Sequence, residues 1–105
     1  MIRIIYERSD YTVTTVGHAN YAEEGKDVVC AAITALTEAM MQRVTGRSCW
    51  QPAYGINKEK AIVRVSLTPR SRHAEETARE MLETVCAGYR EVADLYPDYV
   101  RFEVR

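Results

Sequence analysis

An α+β fold is predicted, in the order ββαββαβ, with a largely antiparallel sheet and two helices packed on one face. Three features carry this reading. Stretches near the start, middle and end of the chain alternate apolar and polar residues with period two, as half-buried strands do. Two longer stretches repeat their apolar residues at helical spacing. The chain has 105 residues, a size that forms one domain around one core, so residues 1–105 are expected to be a single domain. Placing both helices on the same side of the sheet is the economical way to cover it.

Taken in order, Ile2-Arg3-Ile4-Ile5-Tyr6-Glu7 is rich in β-branched residues, and Arg8-Ser9-Asp10 supplies turn residues. Residues 11–16 are β-rich again, so the two segments pair as a hairpin whose second strand delivers Gly17 and His18 at its far end. From Asp27 the period changes. Val29, Ala32, Ile33, Leu36 and Met40 recur at helical spacing, Asp27 is a good N-cap and Gly46 a stop, which predicts a helix over about residues 27–45. Residues 49–55 include Trp50, Pro52 and Tyr54 and read as an irregular edge strand, because proline cannot donate to a ladder. Residues 61–67 alternate cleanly, with Ala61, Val63, Val65 and Leu67 on one side, and residues 57–60 form the hairpin tip before them. Thr68-Pro69-Arg70-Ser71-Arg72 breaks the pattern. Ala78, Met81, Leu82, Val85, Tyr89, Val92 and Tyr96 then trace one stripe of a second amphipathic helix, ended at Pro97. Val100, Phe102 and Val104 alternate with Arg101, Glu103 and Arg105 in a last half-buried strand.

Hydrophobic residues make up 47% of the chain and charged ones 28%, with a formal net charge of -1. Acids and bases are interleaved, so no basic stripe asks for a direct nucleic-acid partner. No apolar run approaches the ~18 to 20 residues of a membrane span, and Met1-Ile2-Arg3-Ile4 has no signal-peptide layout; a cytoplasmic protein without membrane contact is expected. The three cysteines, Cys30, Cys49 and Cys86, are odd in number and widely spaced, which suits neither a disulfide framework nor a zinc site.

The segment Gly17-His18-Ala19-Asn20-Tyr21-Ala22-Glu23-Glu24-Gly25-Lys26-Asp27-Val28-Val29-Cys30 raises the functional question. With Asp27 as N-cap, Cys30 is the third helical residue, in the turn whose backbone N–H groups lack intrahelical partners. Those donors and the helix dipole favour a negative group, and thiolate is the nucleophilic form of cysteine. The same N–H groups are expected to receive the oxyanion formed when sulfur attacks a peptide carbonyl. His18, at a strand end, is the candidate to pair with the thiolate and to protonate the leaving amine. The polar excursion between them, with Gly25 as a hinge, makes a natural lid. Asp27 is expected to cap the helix rather than act as a third catalytic member, because a carboxylate beside the sulfur opposes its ionisation; orienting His18 is the alternative role.

Gly17-His18-Ala19 followed by Gly25-x-Asp27-x-Val29-Cys30-Ala31-Ala32 resembles the signature of the ribosomal-processing cysteine proteases, the Prp family, over essentially the whole chain. The resemblance implies that His18 and Cys30 form a catalytic dyad supported by Gly17, Gly25, Asp27 and Thr34. It implies a cytoplasmic homodimer that removes a short N-terminal extension from the precursor of ribosomal protein L27, cutting after a pair of phenylalanines, with no metal or organic cofactor. Where the family carries serine four residues after the cysteine, this chain has Thr34. Its hydroxyl stays on the Cys30 face of the helix, and the added methyl stiffens its rotamer.

The rival reading is a catalytically silent dimeric module of the same fold that grips a peptide or a ribosomal surface; a redox sensor lacks a nearby second cysteine. Elsewhere, Cys86 is expected to be packing, Cys49 an incidental thiol beside Trp50, and His73 a solvated residue at a helix start. Met40, Met41 and Met81 are core or dimer-contact candidates. Tyr21 and Tyr54 are candidates for a peptide groove. Glu23 and Glu24 are expected to be solvated, or as lid residues to meet a basic stretch of substrate.

Overall fold

The computed structural model describes residues 1–23 and 25–105; Glu24 lies outside the described residues. The chain forms β1 (Ile2–Glu7), a short 3-10 turn (Arg8–Asp10), β2 (Thr12–Val16), α1 (Val28–Val44), β3 (Trp50–Asn57), β4 (Ile62–Pro69), α2 (Arg72–Leu95) and β5 (Val100–Val104). This is the ββαββαβ order. The five strands lie in the spatial order β3-β4-β2-β1-β5. Pairings β1–β2, β2–β4 and β3–β4 are antiparallel, and β1–β5 is parallel. The sheet is therefore mixed, with its parallel pair at one edge, because α2 carries the chain back across the sheet before β5 begins.

Register puts Ile4 beside Thr15, Tyr6 beside Val13 and Val13 beside Val65, so one face is apolar. Both helices cover it: Val29, Ile33, Met40 and Val44 of α1 and Ala78, Leu82, Cys86 and Tyr89 of α2 join Ile4, Tyr6, Val13, Val65 and Leu67 in one core cluster. Burial of this area is the main favourable term. The opposite face carries the exposed Arg3, Arg64, Arg101 and Arg105.

Three boundaries differ from the sequence reading. The edge strand β3 is longer and more regular than expected, eight residues in register with β4. Pro52 fits there because only one side of an edge strand needs donors. β4 runs on through Thr68 and Pro69, since Pro69 pairs opposite Trp50 at the strand end. Ala61 belongs to the hairpin turn, at φ 52°, and not to the strand. Trp50, fully buried, donates its indole N–H to the Val44 carbonyl at 3.0 Å and so satisfies one of the open carbonyls at the end of α1.

The helices are joined by a buried polar link. Thr37 Oγ1 donates to the Ile33 carbonyl at 2.8 Å and lies 2.7 Å from Tyr89 Oη. A threonine hydroxyl has one hydrogen, so Tyr89 must be the donor to Thr37. Burial, first of all, pushes the Tyr89 phenol up to about 12, which keeps it a donor. Tyr89→Phe leaves Thr37 its carbonyl partner and is expected to cost about 1 kcal/mol. Thr37→Val strands a buried phenolic O–H and is expected to cost roughly 2 kcal/mol or more. Urea denaturation of both variants checks the ordering; equal losses would mean the proton runs the other way.

Candidate active site

The turn after β2 determines where His18 goes. Gly17 donates its N–H to the Ala61 carbonyl at 2.9 Å and adopts φ +97°. A Cβ at this position would sit 2.5 Å from the Met1 carbonyl oxygen, so the close approach requires glycine. The chain then leaves the sheet through His18 to Ala19, which is 3% exposed. The Ala19 N–H donates to Cys30 Sγ at 3.4 Å. Asn20 follows in the left-handed region at φ 56°, which asparagine tolerates.

Asp27 closes the segment. Its Oδ1 accepts from the backbone N–H of Val29 at 3.0 Å and of Cys30 at 2.9 Å, and its Oδ2 accepts from Tyr21 N–H at 3.0 Å. These donors, the Cys30 N–H foremost and then that of Tyr21, hold the carboxyl below its usual range despite partial desolvation. One side chain thus caps α1 and pins the excursion to it. Gly25 turns at φ +86° with open space around it. Lys26 Nζ pairs with Glu23 Oε1 at 2.9 Å, both side chains being solvated. The Tyr21 ring meets Tyr96 and Tyr99 edge-on, with centroids 5.5 and 5.1 Å away.

One expectation about this turn is corrected. The amides nearest the sulfur do not stand open for an oxyanion: the Asp27 carboxylate already takes those of Val29 and Cys30, and the Asp27 carbonyl takes that of Ala31. The amide directed at the sulfur comes instead from Ala19.

Two hollows share Cys30 in their walls. The larger, about 760 Å³, is walled by His18, Asn20, Ala22, Gly25, Asp27, Cys30, Ala31, Thr34 and Ala35. The smaller, about 210 Å³, shares His18, Cys30 and Thr34 and continues along Gly17, Ile33, Thr37 and Glu38 to the sheet end at Ile2, Thr15, Ala61 and Val63. All six residues singled out in the sequence, Gly17, His18, Gly25, Asp27, Cys30 and Thr34, therefore line one composite cleft. Sequence reasoning missed Ala19, Asn20, Ala22 and the rest of the exposed run to which Thr34 belongs, Ala31, Ala35 and Glu38. The run was legible in principle, because its members recur at helical spacing on the face of α1 opposite the buried Val29, Ile33 and Met40.

The remaining candidates lie elsewhere. Cys86 is buried in the core under α2, and burial first, then the Glu83 charge, pushes its thiol up to about 12. Cys49 is partly buried against the core, and His73 is exposed in the first turn of α2. Met40 is buried in the core, with Met41 and Met81 packed against it. Tyr21 packs edge-on against tyrosines, and the Tyr54 hydroxyl bonds that of Thr45. No helix is long and apolar enough to cross a membrane among the described residues.

Asp27→Asn separates the two jobs of this side chain. Asparagine caps helices as well as aspartate does, so α1 keeps its cap, whereas an amide –NH₂ cannot accept from Tyr21 N–H. The expected result is a nearly unchanged melting temperature with a severalfold loss of kcat/KM, carried by KM as the cleft wall loosens. Asp27→Ala should lose both. Equal melting losses in the two variants would contradict the separation. The carboxyl is depressed on folding, so its contribution is present at and above the usual range near pH ~4 and is lost as pH falls through the lower folded value.

A cleft lined by both a thiol and an imidazole carries the two groups that nucleophilic attack by sulfur on a bound chain requires, the chemistry of the thiol hydrolases. The chain belongs to the cysteine protease Prp family, which matches residues 1–101. It is 28% identical over 98 residues to the ribosomal processing cysteine protease Prp of Bacillus subtilis, covering 86% of this chain and 88% of that one. Its fold matches crystal structures of an essential ribosomal processing protease Prp from S. aureus, each at 18% identity and covering 100% of both chains. The TM-score is 0.85 for the complex with a covalently linked product peptide and 0.78 for the complex with a substrate peptide.

Proposed function

We propose that this cysteine protease removes the N-terminal extension of the ribosomal protein L27 precursor, with Cys30 as nucleophile and His18 as general base and acid. The observation that supports the reading is that His18 and Cys30 line the same two hollows, with the Ala19 N–H on the sulfur. His18 takes the thiol proton, and Sγ forms a bond to the scissile carbonyl carbon while the C=O electron pair moves to oxygen. The Ala19 amide is close enough to Sγ to receive that oxyanion. Collapse breaks the C–N bond as His18 gives its proton to the leaving amine. Water, deprotonated by His18, then hydrolyses the thioester.

Gly17, Gly25, Asp27 and Thr34 support the dyad: Gly17 by the turn that delivers His18, Gly25 and Asp27 by shaping the wall, and Thr34 by facing both hollows one turn beyond Cys30. No metal or organic cofactor enters these steps. The working form is a cytoplasmic homodimer, for which Tyr54 and Ile56, 41% and 57% exposed on edge strand β3, offer an apolar strip. The B. subtilis relative, named for ribosomal processing, supports the substrate class. Incubating the purified protein with the L27 precursor of the same genome should remove its N-terminal segment, seen by intact mass and N-terminal sequencing. An unchanged precursor would overturn the substrate assignment.

A further inference from the structure

We propose that Glu38 makes the smaller hollow a subsite for a lysine or arginine side chain of the substrate, about three to four residues from the bond that is cut. The proposal rests on the reading of His18 and Cys30 given above and adds a selectivity to it.

The distance follows from the helix. Glu38 is eight residues beyond Cys30 on α1, which at 1.5 Å per residue is roughly 12 Å along the axis. A substrate strand laid along the cleft advances about 3.3 Å per residue, so a side chain about three to four residues from the attacked carbonyl comes level with Glu38. The path between them is open: Ala31, Thr34 and Ala35 are small, uncharged and exposed on this face. No bulky side chain on that face of α1 lifts the strand away from the helix.

The chemistry follows from the wall. The smaller hollow is lined by His18, Cys30, three threonines (Thr15, Thr34 and Thr37) and apolar residues, with Glu38 the one carboxylate and no lysine or arginine among its described lining residues. Glu38 is exposed and has no ion-pair partner among the described residues. An unneutralised carboxylate on the wall of a partly walled pocket attracts a cationic side chain and repels an acidic one. The contribution has the size of a partly exposed ion pair, up to about fivefold for attraction, with a similar factor for the repulsion of an acid. A lysine-over-glutamate preference of roughly tenfold is the result to expect.

The test uses the purified chain and a set of cleavable peptides in which lysine, alanine or glutamate is placed singly at successive positions on both sides of the scissile bond. The wild type should prefer lysine to glutamate about tenfold in kcat/KM at one position some three to four residues out, mainly through KM. The preference should shrink as salt is raised. Glu38→Gln should bring the ratio near one, and Glu38→Lys should invert it. Because the ratio is taken within each variant, any general loss of folding or rate cancels. Affinities of the same peptides for Cys30→Ala give the ratio without chemistry. A ratio near one at every position in the wild type, or one unchanged by either Glu38 substitution, overturns the proposal while leaving the Cys30 assignment intact. Undiminished cleavage by Cys30→Ala would instead remove the reading beneath it.

Discussion

With Cys30 replaced by alanine, cleavage of an L27-type peptide is expected to fall by at least about 10³-fold while peptide affinity stays close to that of the wild type, because alanine removes only the attacking atom. His18→Ala is expected to cost about 10²- to 10⁴-fold, the range for a positioned acid and base. The double variant should be little worse than Cys30→Ala alone, since an imidazole without its nucleophile has no step to catalyse. The thiols should differ in the same sense. Iodoacetamide at pH 7 should alkylate Cys30, which faces the cleft, and spare Cys86, whose thiol is buried and pushed up to about 12. Peptide mapping by mass spectrometry reads both sites at once. Full cleavage by Cys30→Ala would support the catalytically silent module and leave the rate to a contaminant.

How much of this was legible in the sequence depends on the range over which each feature is determined. The cap was local: an aspartate before a helical period announces Asp27, and the structure has it accepting the Val29 and Cys30 amides. The same local fact carried a consequence that propensity alone does not display, namely that a capped turn has few amides left for an oxyanion. Strand β5 was legible from the alternation of Val100, Phe102 and Val104, but its parallel pairing with β1 was not, because direction is decided by the crossover of α2. Pro52 correctly marked an edge strand and wrongly suggested an irregular one, since one missing donor on the open side does not interrupt the ladder. That His18 and Cys30 share the walls of two hollows is a long-range outcome. It depends on how Gly17 bonds to Ala61 and how Ala19 is drawn onto the sulfur, contacts that join three segments far apart in the chain. The residue pattern suggested that the two belong to one site without being able to put them on a common wall.

Gly17→Ala is the substitution in which that long-range geometry should fail most visibly. The added methyl would lie 2.5 Å from the Met1 carbonyl oxygen, a backbone atom that cannot rotate away as a side-chain tip could. The φ of +97° is also one that L side chains rarely adopt. Strain of this kind and overpacking each cost about 1 to 3 kcal/mol, so a loss of roughly 3 kcal/mol and a fall in melting temperature of about 10 to 20 °C are expected. Relief can come from letting the turn shift, which breaks the Gly17 N–H bond to Ala61 and moves His18 with it. Activity measured well below the melting transition should then drop through kcat, since an imidazole displaced by about 1 Å loses its proton-transfer geometry. The control is Gly46→Ala, where φ is +81° but nothing lies within 4 Å of the new methyl. It carries the backbone strain without the clash and lies far along the chain from His18, so it should lower stability by only about 1 to 2 kcal/mol. If the two variants lose stability equally, the Met1 contact is not what requires glycine at Gly17. If Gly17→Ala keeps full kcat, the turn does not position His18.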